Sequence, residues 1–315
     1  MKNTFSHIGL VKLCGWFGIT RQAYYNHWWK SFEVVNQQHI IVDRVKEIRE
    51  NHPRLGTRKL FDLLQSFFKE HQIKMGRDAF FNVLYINHLL VRKRKRKIST
   101  TNSYHRFRKY PNLIREFIPT AINQLWVSDI TYWKIGEKHV YISFITDAYS
   151  HKIVGYYVAQ TLETIESIQA LKMALNSLKT EPTHLIHHSD RGIQYCSNSY
   201  VKLLQDYDIK ISMTENGDPL ENAIAERING IIKEEYIHNY QVINLKEAKE
   251  LLKAVVDLYN NERPHMSISN LTPNQVHEST EKLKLNKLWK NYYKKNSTIV
   301  KQEQNVNLTV NLLQD

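Results

Sequence analysis

The spacing of hydrophobic residues divides the chain into a helical first part and a mixed second part. Up to residue 91, apolar positions recur every three or four residues, as at Ile41 and Val45, which is the spacing of an amphipathic helix. From residue 125 onward, apolar and polar residues alternate, as at Val140, Ile142 and Phe144, and such alternation is typical of β-strands. The pattern predicts an all-α region followed by an α/β core.

Two pairs of helices are predicted in the first part. Residues 7–29 are expected to form two helices, the second capped by Thr20. A further helix ends before Pro53, the chain restarts at Gly56, and another helix opens at Gly76. A helix, a short turn and a capped second helix form the helix-turn-helix plan, whose second helix enters the DNA major groove. Short helix pairs are also common packing units, so both interpretations stay open.

Positive charge is concentrated in the first third of the chain. Residues 1–110 hold 22 Lys and Arg against 7 Asp and Glu, a net charge of +15, whereas residues 111–315 hold 22 against 24. This asymmetry indicates that one part binds a polyanion and the other performs chemistry, although a merely soluble basic surface would look the same. The candidate DNA contacts are cations at predicted turns and in one uninterrupted run: Arg58, Lys59, Arg77, Arg92, Lys93, Arg94, Lys95, Arg96 and Lys97. Because the run repels itself, it is predicted to be an extended linker that binds phosphates.

The second part is predicted to contain five strands and several amphipathic helices. The strands are expected at residues 125–135, 139–146, 153–159, 184–188 and 210–213. The helices are expected at residues 165–178, 197–207 and 222–236, followed by a helix with a capping box at Asn244 and Glu247. Three consecutive antiparallel strands followed by alternating helices and strands predict a mixed sheet covered by helices.

Three acidic residues of this core are predicted to converge. Asp129 lies in the first strand, Asp190 follows the fourth, and Glu226 lies on the helix face away from Ile224. Oxygen ligands on few residues suit Mg²⁺, which completes its shell with water and substrate phosphates. Two such ions about 3.5–4 Å apart stabilise both the attacking and the leaving oxygen of an in-line phosphoryl displacement. The combination, rather than any single acid, predicts chemistry on a nucleic-acid backbone.

Four short segments around these acids resemble one protein family. They read LWVSDIT (125–131), HSDRGIQY (188–195), ENAIAER (221–227) and YNNERPH (259–265), and 60 and 35 residues separate the successive acids. From about Cys14 to Val276 the chain resembles bacterial insertion-sequence transposases of the IS-three family, which carry an integrase-like Asp-Asp-Glu triad. The resemblance implies an α/β fold with a ribonuclease H-like core (a mixed five-stranded sheet with helices on both faces), preceded by an all-α helix-turn-helix region.

The resemblance also implies a function, cofactors and partners. The protein would be a transposase that cleaves DNA at insertion-sequence ends and transfers the strands to new DNA. Asp129, Asp190 and Glu226 would be its catalytic residues and the ligands of two Mg²⁺ ions, with Mn²⁺ as an alternative. The implied partners are double-stranded DNA (element ends and target), further copies of the chain on paired ends, and an upstream-frame protein. Because the chain starts at Met1 and lacks sustained heptads, it is predicted to be the downstream-frame product alone.

Other polar residues near the predicted site have two interpretations each. Lys233 lies two helical turns beyond the third acid, so it either contacts substrate phosphate or is a solvated lysine. Arg263 either reaches DNA phosphate or ties its loop to the core. Asp147 follows a strand and is expected to be a turn residue. His187 and His188 are expected to be buried or to face phosphate rather than to bind metal.

Composition narrows the class of protein. With only Cys14 and Cys196, the chain has neither a disulfide framework nor a Cys-rich zinc site. No apolar run approaches the ~20 residues that span a bilayer, and the N-terminus lacks a secretory signal. We therefore expect a bacterial protein of the cytoplasm, associated with the nucleoid and not with a membrane.

The predicted domains follow from these patterns. They are an N-terminal helix-turn-helix-like segment (1–35), a second helix-turn-helix DNA-binding module (36–91), a basic linker (92–119), a ribonuclease H-like integrase catalytic core (120–279) and a C-terminal tail (280–315). Two other functions remain open: a ribonuclease H-type or resolvase-type nuclease on the same fold, and a non-catalytic DNA-binding regulator. Strand joining separates a transposase from a nuclease, and the presence of all three acids argues against the regulator.

Overall fold

The structure, a computed structural model, describes four stretches of the chain: residues 7–92, 106–179, 184–215 and 219–279. The chain divides into two compact units, one formed by Met1–Asn51 and Leu55–Arg92 and the other by His52–Arg54 and Lys93–Asp315. Residues 93–105 of the predicted linker and the predicted tail (280–315) lie outside the described residues. Among the helices that the structure describes, none is both long and apolar enough to cross a membrane.

The described part of the first unit consists of helices. They are α1 (Leu10–Trp16), α2 (Arg21–Asn51), α3 (Thr57–Leu63), α4 (Gln65–Glu70) and α5 (Arg77–Ile86). The turn before α2 contains Gly18 at a positive φ of 64°, a conformation that favours glycine. Thr20 caps α2 by accepting a hydrogen bond from the Ala23 N–H at 3.0 Å. The predicted break before α2 and the predicted helix starts near residues 57 and 77 are confirmed.

The second helix of this unit is longer than the sequence pattern predicts. The boundary expected between residues 35 and 36 falls inside α2, which runs unbroken for 31 residues. No Gly or Pro interrupts this stretch, so nothing local ends the helix. Its C-terminal half packs Ile41 and Val45 against Leu60 and Phe80, whereas its N-terminal half exposes large side chains such as Trp28. The division into two helix-turn-helix modules stays a prediction.

The second unit contains a five-stranded sheet. Its strands are β1 (Leu125–Ile135), β2 (Lys138–Asp147), β3 (Ile153–Ala159), β4 (Ile186–Ser189) and β5 (Lys210–Met213). The strand order is β3-β2-β1-β4-β5. β2 is antiparallel to both its neighbours, and β1, β4 and β5 are parallel to one another. All five predicted strands are therefore confirmed, with small differences at their ends.

Helices cover both faces of this sheet. They are α6 (Thr164–Asn176), α7 (Ile193–Cys196), α8 (Asn198–Asp206), α9 (Ala223–Ile231), α10 (Leu245–Asn261) and α11 (Pro273–His277). Adjacent residues of a strand point to opposite faces. Accordingly, Phe144 packs into the core formed with α9 and α10, and Ile145 packs into the core formed with α6 and α8. A mixed sheet in this order with helices on both faces is the predicted ribonuclease H-like fold.

Two local features shape this unit. β3 and α6 approach so closely at Gly155 that an added Cβ would lie 2.2 Å from the Ala170 carbonyl oxygen, so only glycine fits. The helix predicted for residues 222–236 is also not uniform. α9 ends at Ile231 and a π-helical turn, Ile232–Tyr236, follows it. The sequence pattern does not predict this change in winding.

Candidate active site

The sheet register brings two of the three predicted acids to neighbouring positions. Val127 of β1 pairs with His188 of the parallel strand β4. Asp129 and Asp190 each follow the paired residue by two positions, Asp129 within β1 and Asp190 directly after the end of β4. Both are partly buried. Parallel pairing therefore places two acids separated by 60 residues at the same level of adjacent strands.

The third acid lies on a helix that runs along β1. Residues 222, 226, 229 and 233 are spaced by four, three and four positions, which places them on one stripe of a helix. Asn222 donates to the Ser128 carbonyl at 3.0 Å, and Asn229 donates to Asp129 Oδ2 at 2.7 Å. Glu226 lies between these two amides and is exposed. The stripe thus positions Glu226 beside the strand that carries Asp129.

The three carboxylates are electrostatically coupled. The pKa of Asp129 is raised to about 8, first by burial, then by the negative charge of Asp190 and, more weakly, of Glu226. Hydrogen bonds from the Ile130 N–H to Oδ1 (2.9 Å) and from Asn229 to Oδ2 offset only part of this effect. A carboxyl that is destabilised by two others is a strong sign of a functional site.

A short turn orients the carboxylate of Asp190. The Gly192 N–H donates to Asp190 Oδ1 at 2.9 Å. A Cβ on Gly192 would lie 2.9 Å from the same oxygen, closer than side chains normally pack. Gly192 has an ordinary negative φ of −63°, so it is the space, and not the backbone angle, that requires glycine here. The glycine therefore lets Asp190 fold back onto the start of α7.

The hydroxyl groups next to the acids are poorly suited to be nucleophiles. Tyr195 is buried, and its hydroxyl lies 3.0 Å from Ser128 Oγ. Burial, together with Tyr200, Asp129 and Asp190, raises the pKa of Tyr195 well above its usual range, so the hydroxyl stays protonated. Ser189 is also buried and donates to the Asp190 carbonyl at 3.0 Å.

In this structure Asp129, Asp190 and Glu226 are not arranged as a complete set of metal ligands. Across the described ranges, no group of three or more His, Cys, Asp or Glu side chains is arranged to hold a metal ion. Asp129 is instead engaged by Ile130 and Asn229. The donor set nevertheless fits a hard divalent cation, since it consists of oxygen atoms. In addition, the side-chain oxygens of Asn222 and Asn229 are buried without a hydrogen-bond partner, an arrangement that native folds usually avoid.

The two predicted basic residues of the core have different environments. Lys233 donates to Thr131 Oγ1 at 3.1 Å, and its ammonium lies 4.4 Å from the centre of the Tyr132 ring. Burial lowers the pKa of Lys233, against the opposing effects of Glu234 and Asp129. Lys233 is therefore half-buried and within electrostatic reach of Asp129, and its contact with substrate phosphate stays a prediction.

Arg263 is not available to DNA, which corrects the prediction that it contacts phosphate. It is 1% exposed and forms two hydrogen bonds with Glu235, at 2.7 and 2.8 Å. The alternative interpretation holds: the guanidinium ties its loop to the core, because a buried cation needs a buried partner.

The competing acids and histidines are structural. Asp147 is fully buried and accepts hydrogen bonds from the Asn123 N–H and from both the N–H and hydroxyl of Ser150. His187 and His188 are buried, burial lowers their pKa values to about 3 and about 4, and both are therefore neutral. They contact Tyr200 and Ser212, respectively. The predicted turn role of Asp147 is confirmed.

The cations of the first unit that are predicted to contact DNA differ in solvent exposure. Arg58, Arg77 and Arg92 are exposed, and Lys59 is half-buried. Arg77 also pairs with the neighbouring Asp78 at 3.3 Å. Lys93, Arg94, Lys95, Arg96 and Lys97 lie outside the described residues. DNA contact by any of these cations stays a prediction.

Three residues of the site were not predicted: Asn222, Asn229 and Gly192. The two amides lie four residues before and three residues after Glu226, so the helical spacing that selected Lys233 also points to them. Gly192 follows Asp190 by two residues, the spacing at which an Asp side chain accepts a backbone N–H in a turn. The sequence spacing therefore contained the information needed to predict all three residues.

Comparison with known families defines the class of protein. Two models of the integrase core domain match the chain, one over residues 119–219 and one over residues 207–273. The second unit therefore contains an integrase core domain, which belongs to a class of enzymes that transfer polynucleotide strands.

Similarity to curated proteins identifies the family. The chain is 34% identical to a 31 kDa protein of insertion element IS600 from Shigella sonnei, over 83% of this chain and 96% of that protein. It is 33% identical to the transposase for insertion sequence element IS629 from Shigella sonnei, over 68% of this chain and 70% of that protein. The chain belongs to the family of bacterial insertion-sequence transposases, and its function is DNA transposition.

Solved structures of viral integrases are also similar. One is the HTLV-2 integrase catalytic core domain in complex with magnesium, which has 22% identity, a TM-score of 0.40, and coverage of 50% of this chain and 97% of that chain. Another is the simian T-cell lymphotropic virus intasome in complex with PP2A regulatory subunit B56 gamma, with 18% identity, a TM-score of 0.46, and coverage of 70% and 73%.

Proposed function

We propose that this transposase cleaves DNA at insertion-sequence ends and transfers the cleaved strands to target DNA at one site formed by Asp129, Asp190 and Glu226. The observation that carries the proposal is the packing around these carboxylates: the pairing of β1 with β4 brings Asp129 and Asp190 to the same level, and Asn229, three residues after Glu226, donates to Asp129. Like charges held together are costly to a fold. The proximity of these carboxylates supports a catalytic role for them, because carboxylates with a structural role normally have hydrogen-bond donors, and not other acids, as neighbours.

The residues of the chain have separate tasks in this proposal. Asn229 and the Ile130 N–H hold the Asp129 carboxylate in place, and the Gly192 N–H holds that of Asp190. The three catalytic carboxylates would hold two Mg²⁺ ions, or Mn²⁺ instead. When bound, these ions would supply activation of the attacking oxygen and stabilisation of the leaving oxygen. Lys233 would bind a phosphate of the DNA end.

The attacking group in this proposal comes from water or DNA rather than from the protein. Water would attack the phosphodiester during cleavage, and a DNA 3′ hydroxyl would attack during strand transfer. Burial of Tyr195 and Ser189 supports this choice, because neither hydroxyl next to the acids is accessible to a phosphodiester. The same carboxylates would therefore serve both steps, and no covalent protein–DNA intermediate would form.

The remaining parts of the chain would bind DNA and assemble the complex. The basic first third, through exposed cations such as Arg58, Arg77 and Arg92, would bind the element ends. The predicted division into two helix-turn-helix modules, a linker, the core and a tail forms part of this proposal. Several copies of the chain would act on paired ends, and an upstream-frame protein would be a further partner. A cytoplasmic, nucleoid-associated location fits such a role.

The substitution Glu226→Gln tests the proposed triad. The variant should bind a labelled DNA end with an affinity close to that of the wild type but should neither cleave nor join it. The matched control is Glu250→Gln, which neutralises an exposed glutamate on α10 and should retain both activities. Retained cleavage in Glu226→Gln would exclude Glu226 from the site. Cleavage without joining by the wild type would favour a nuclease, and binding without cleavage would favour a regulator.

A further inference from the structure

The helix that carries Glu226 changes its winding immediately after its last α-helical residue. Residues Ile232–Tyr236 form a single π-helical turn, which the Ile237 N–H closes by reaching the Ile232 carbonyl. A π turn contains more residues than an α turn, occurs rarely and is frequent at functional sites. It also changes the direction of the side chains that follow. The positions of Lys233 and Glu235 therefore depend on this turn.

The π turn has anchors on two sides. On one side, Lys233 reaches β1, where it donates to Thr131 Oγ1 and lies over the Tyr132 ring. On the other side, Glu235 accepts two hydrogen bonds from Arg263, from Nε at 2.8 Å and from Nη2 at 2.7 Å. Two parallel hydrogen bonds between planar groups fix orientation as well as distance. The Glu235 pair therefore restricts how the turn can rotate.

Arg263 is itself held firmly. Its third nitrogen, Nη1, donates to His265 Nε2 at 2.9 Å, and its guanidinium lies 5.9 Å from the centre of the Tyr259 ring. Tyr259 is fully buried on α10, in the same core as the residues of α9. Arg263 thus connects the π turn to a buried part of the fold. A lysine side chain such as that of Lys233 samples many rotamers unless its surroundings restrict it.

We propose that the Glu235–Arg263 pair is a positioning device that holds the π turn so that Lys233 is directed onto β1 beside the three acids. Arg263 is buried and Glu235 is half-buried, and in this proposal both act through Lys233. The catalytic consequence rests on the proposed function, but the position of Lys233 does not. A purely structural pair would instead stabilise the fold without changing where Lys233 lies.

Nuclear magnetic resonance measures the position of Lys233 directly. In protein labelled at the lysine ε-carbon, the Lys233 signal is assigned from its loss in Lys233→Arg. The Tyr132 ring should shift the adjacent methylene protons upfield, and Tyr132→Leu should remove this shift. In Glu235→Gln and in Arg263→Lys the shift should also collapse. The matched control Glu250→Gln neutralises an exposed glutamate on α10 and should keep the shift.

Single-turnover cleavage of a bound DNA end provides the second measurement. Glu235→Gln and Arg263→Lys should cleave at least about tenfold more slowly than the wild type, because a small displacement of a positioning group is costly to a reaction. Glu250→Gln should cleave at the wild-type rate. If the wild-type protein cleaves no DNA, the proposed function fails, while the resonance measurement still decides where Lys233 lies.

Three results would overturn the inference. The first is an unchanged Lys233 shift in folded Glu235→Gln. The second is an equal loss of the shift in Glu250→Gln. The third is cleavage that slows without any movement of Lys233. If the single variants do not fold, the double variant Glu235→Leu with Arg263→Met replaces the buried pair by apolar groups of similar size. A folded double variant should show a displaced Lys233, and an undisplaced lysine there would also refute the proposal.

Discussion

Two aspartates that lie three residue pairs apart on the β1–β2 ladder have contrasting environments. Asp147 lies opposite Trp126 and is fully buried, and its two oxygens accept three hydrogen bonds from Asn123 and Ser150, each 2.7 Å long. Asp129 lies opposite Phe144 and is only partly buried. Burial first, and then the negative charges of Asp190 and Glu226, raise the pKa of Asp129 to about 8.

The difference indicates how one residue type serves structure at Asp147 and, in the proposed function, chemistry at Asp129. Donors surround the carboxylate of Asp147, so its negative charge stabilises the turn that joins β2 to β3. The carboxylate of Asp129 has two donors but also two negative neighbours, so its charge opposes folding. Neutralising each residue in turn should therefore have opposite effects on stability and on activity.

The largest effect is expected from Asp129→Asn. Loss of the central carboxylate should reduce DNA cleavage about a thousandfold, which corresponds to about 4 kcal/mol of activation free energy. The free energy of unfolding should not fall, since the amide no longer repels Asp190 and Glu226. A gel assay of end cleavage and urea unfolding measure the two quantities. A clear loss of stability would show that Asp129 is structural after all.

The reverse pattern is expected from Asp147→Asn. The amide places an N–H₂ group among the N–H and hydroxyl donors of Asn123 and Ser150, so the free energy of unfolding should fall by about 3 kcal/mol. Cleavage per folded molecule should stay within about twofold of the wild type. Urea unfolding and the same cleavage assay, at a temperature where the variant is folded, test this. Lost activity in a fully folded variant would contradict the contrast between the two aspartates.

Lowering the pH should destabilise the fold near Asp147, because His151 then becomes protonated. Burial lowers the pKa of His151 to about 4, with a smaller lowering by Arg263 and an opposing effect of Asp147. In the unfolded chain His151 becomes protonated near pH 6.5, whereas in the folded chain it becomes protonated only near pH 4. The free energy of unfolding therefore decreases as the pH falls from 6.5 to 4, and the decrease is about 2 kcal/mol at pH 5.

The substitution His151→Asn separates this contribution from those of other groups. His151 has a positive φ of 64°, which Asn tolerates better than most residues. Unfolding free energies measured between pH 7 and pH 4 should fall less steeply in the variant. Identical slopes for the variant and the wild type would show that His151 is not an origin of the acid sensitivity.

A smaller effect is expected from Gly192→Ala, which tests whether Gly192 positions the carboxylate of Asp190. The added Cβ must displace the Asp190 carboxylate, so cleavage should slow about tenfold, or about 1.4 kcal/mol, with a change in unfolding free energy below about 1 kcal/mol. Gly230→Ala is the matched control, since a Cβ there meets no atom within 4 Å. If the two variants cleave equally fast, the position of Asp190 does not depend on Gly192.

Much of the core was predictable because its signals are local. The ends of β1, β3 and β5 agree with the predicted residues, since alternation and flanking turn residues act over a few positions. Longer elements were less well predicted. The helix expected to begin after Thr20 and the helix expected to end before Pro53 form one helix, α2. The helix expected to reach Tyr236 ends as an α-helix at Ile231, and the π turn that follows contains Glu235, which contacts a loop 28 residues away.

The sequence by itself determined the family, the order of strands and helices, and the three acids, because short segments carry those signals. Only the tertiary structure decided which side chains meet. The parallel pairing of β1 with β4 brings Asp190 to the level of Asp129, and burial with that second charge raises the pKa of Asp129. The fold likewise turns Arg263 inward and Lys233 toward β1. These properties depend on distances and burial between residues far apart in the chain, which no local pattern encodes.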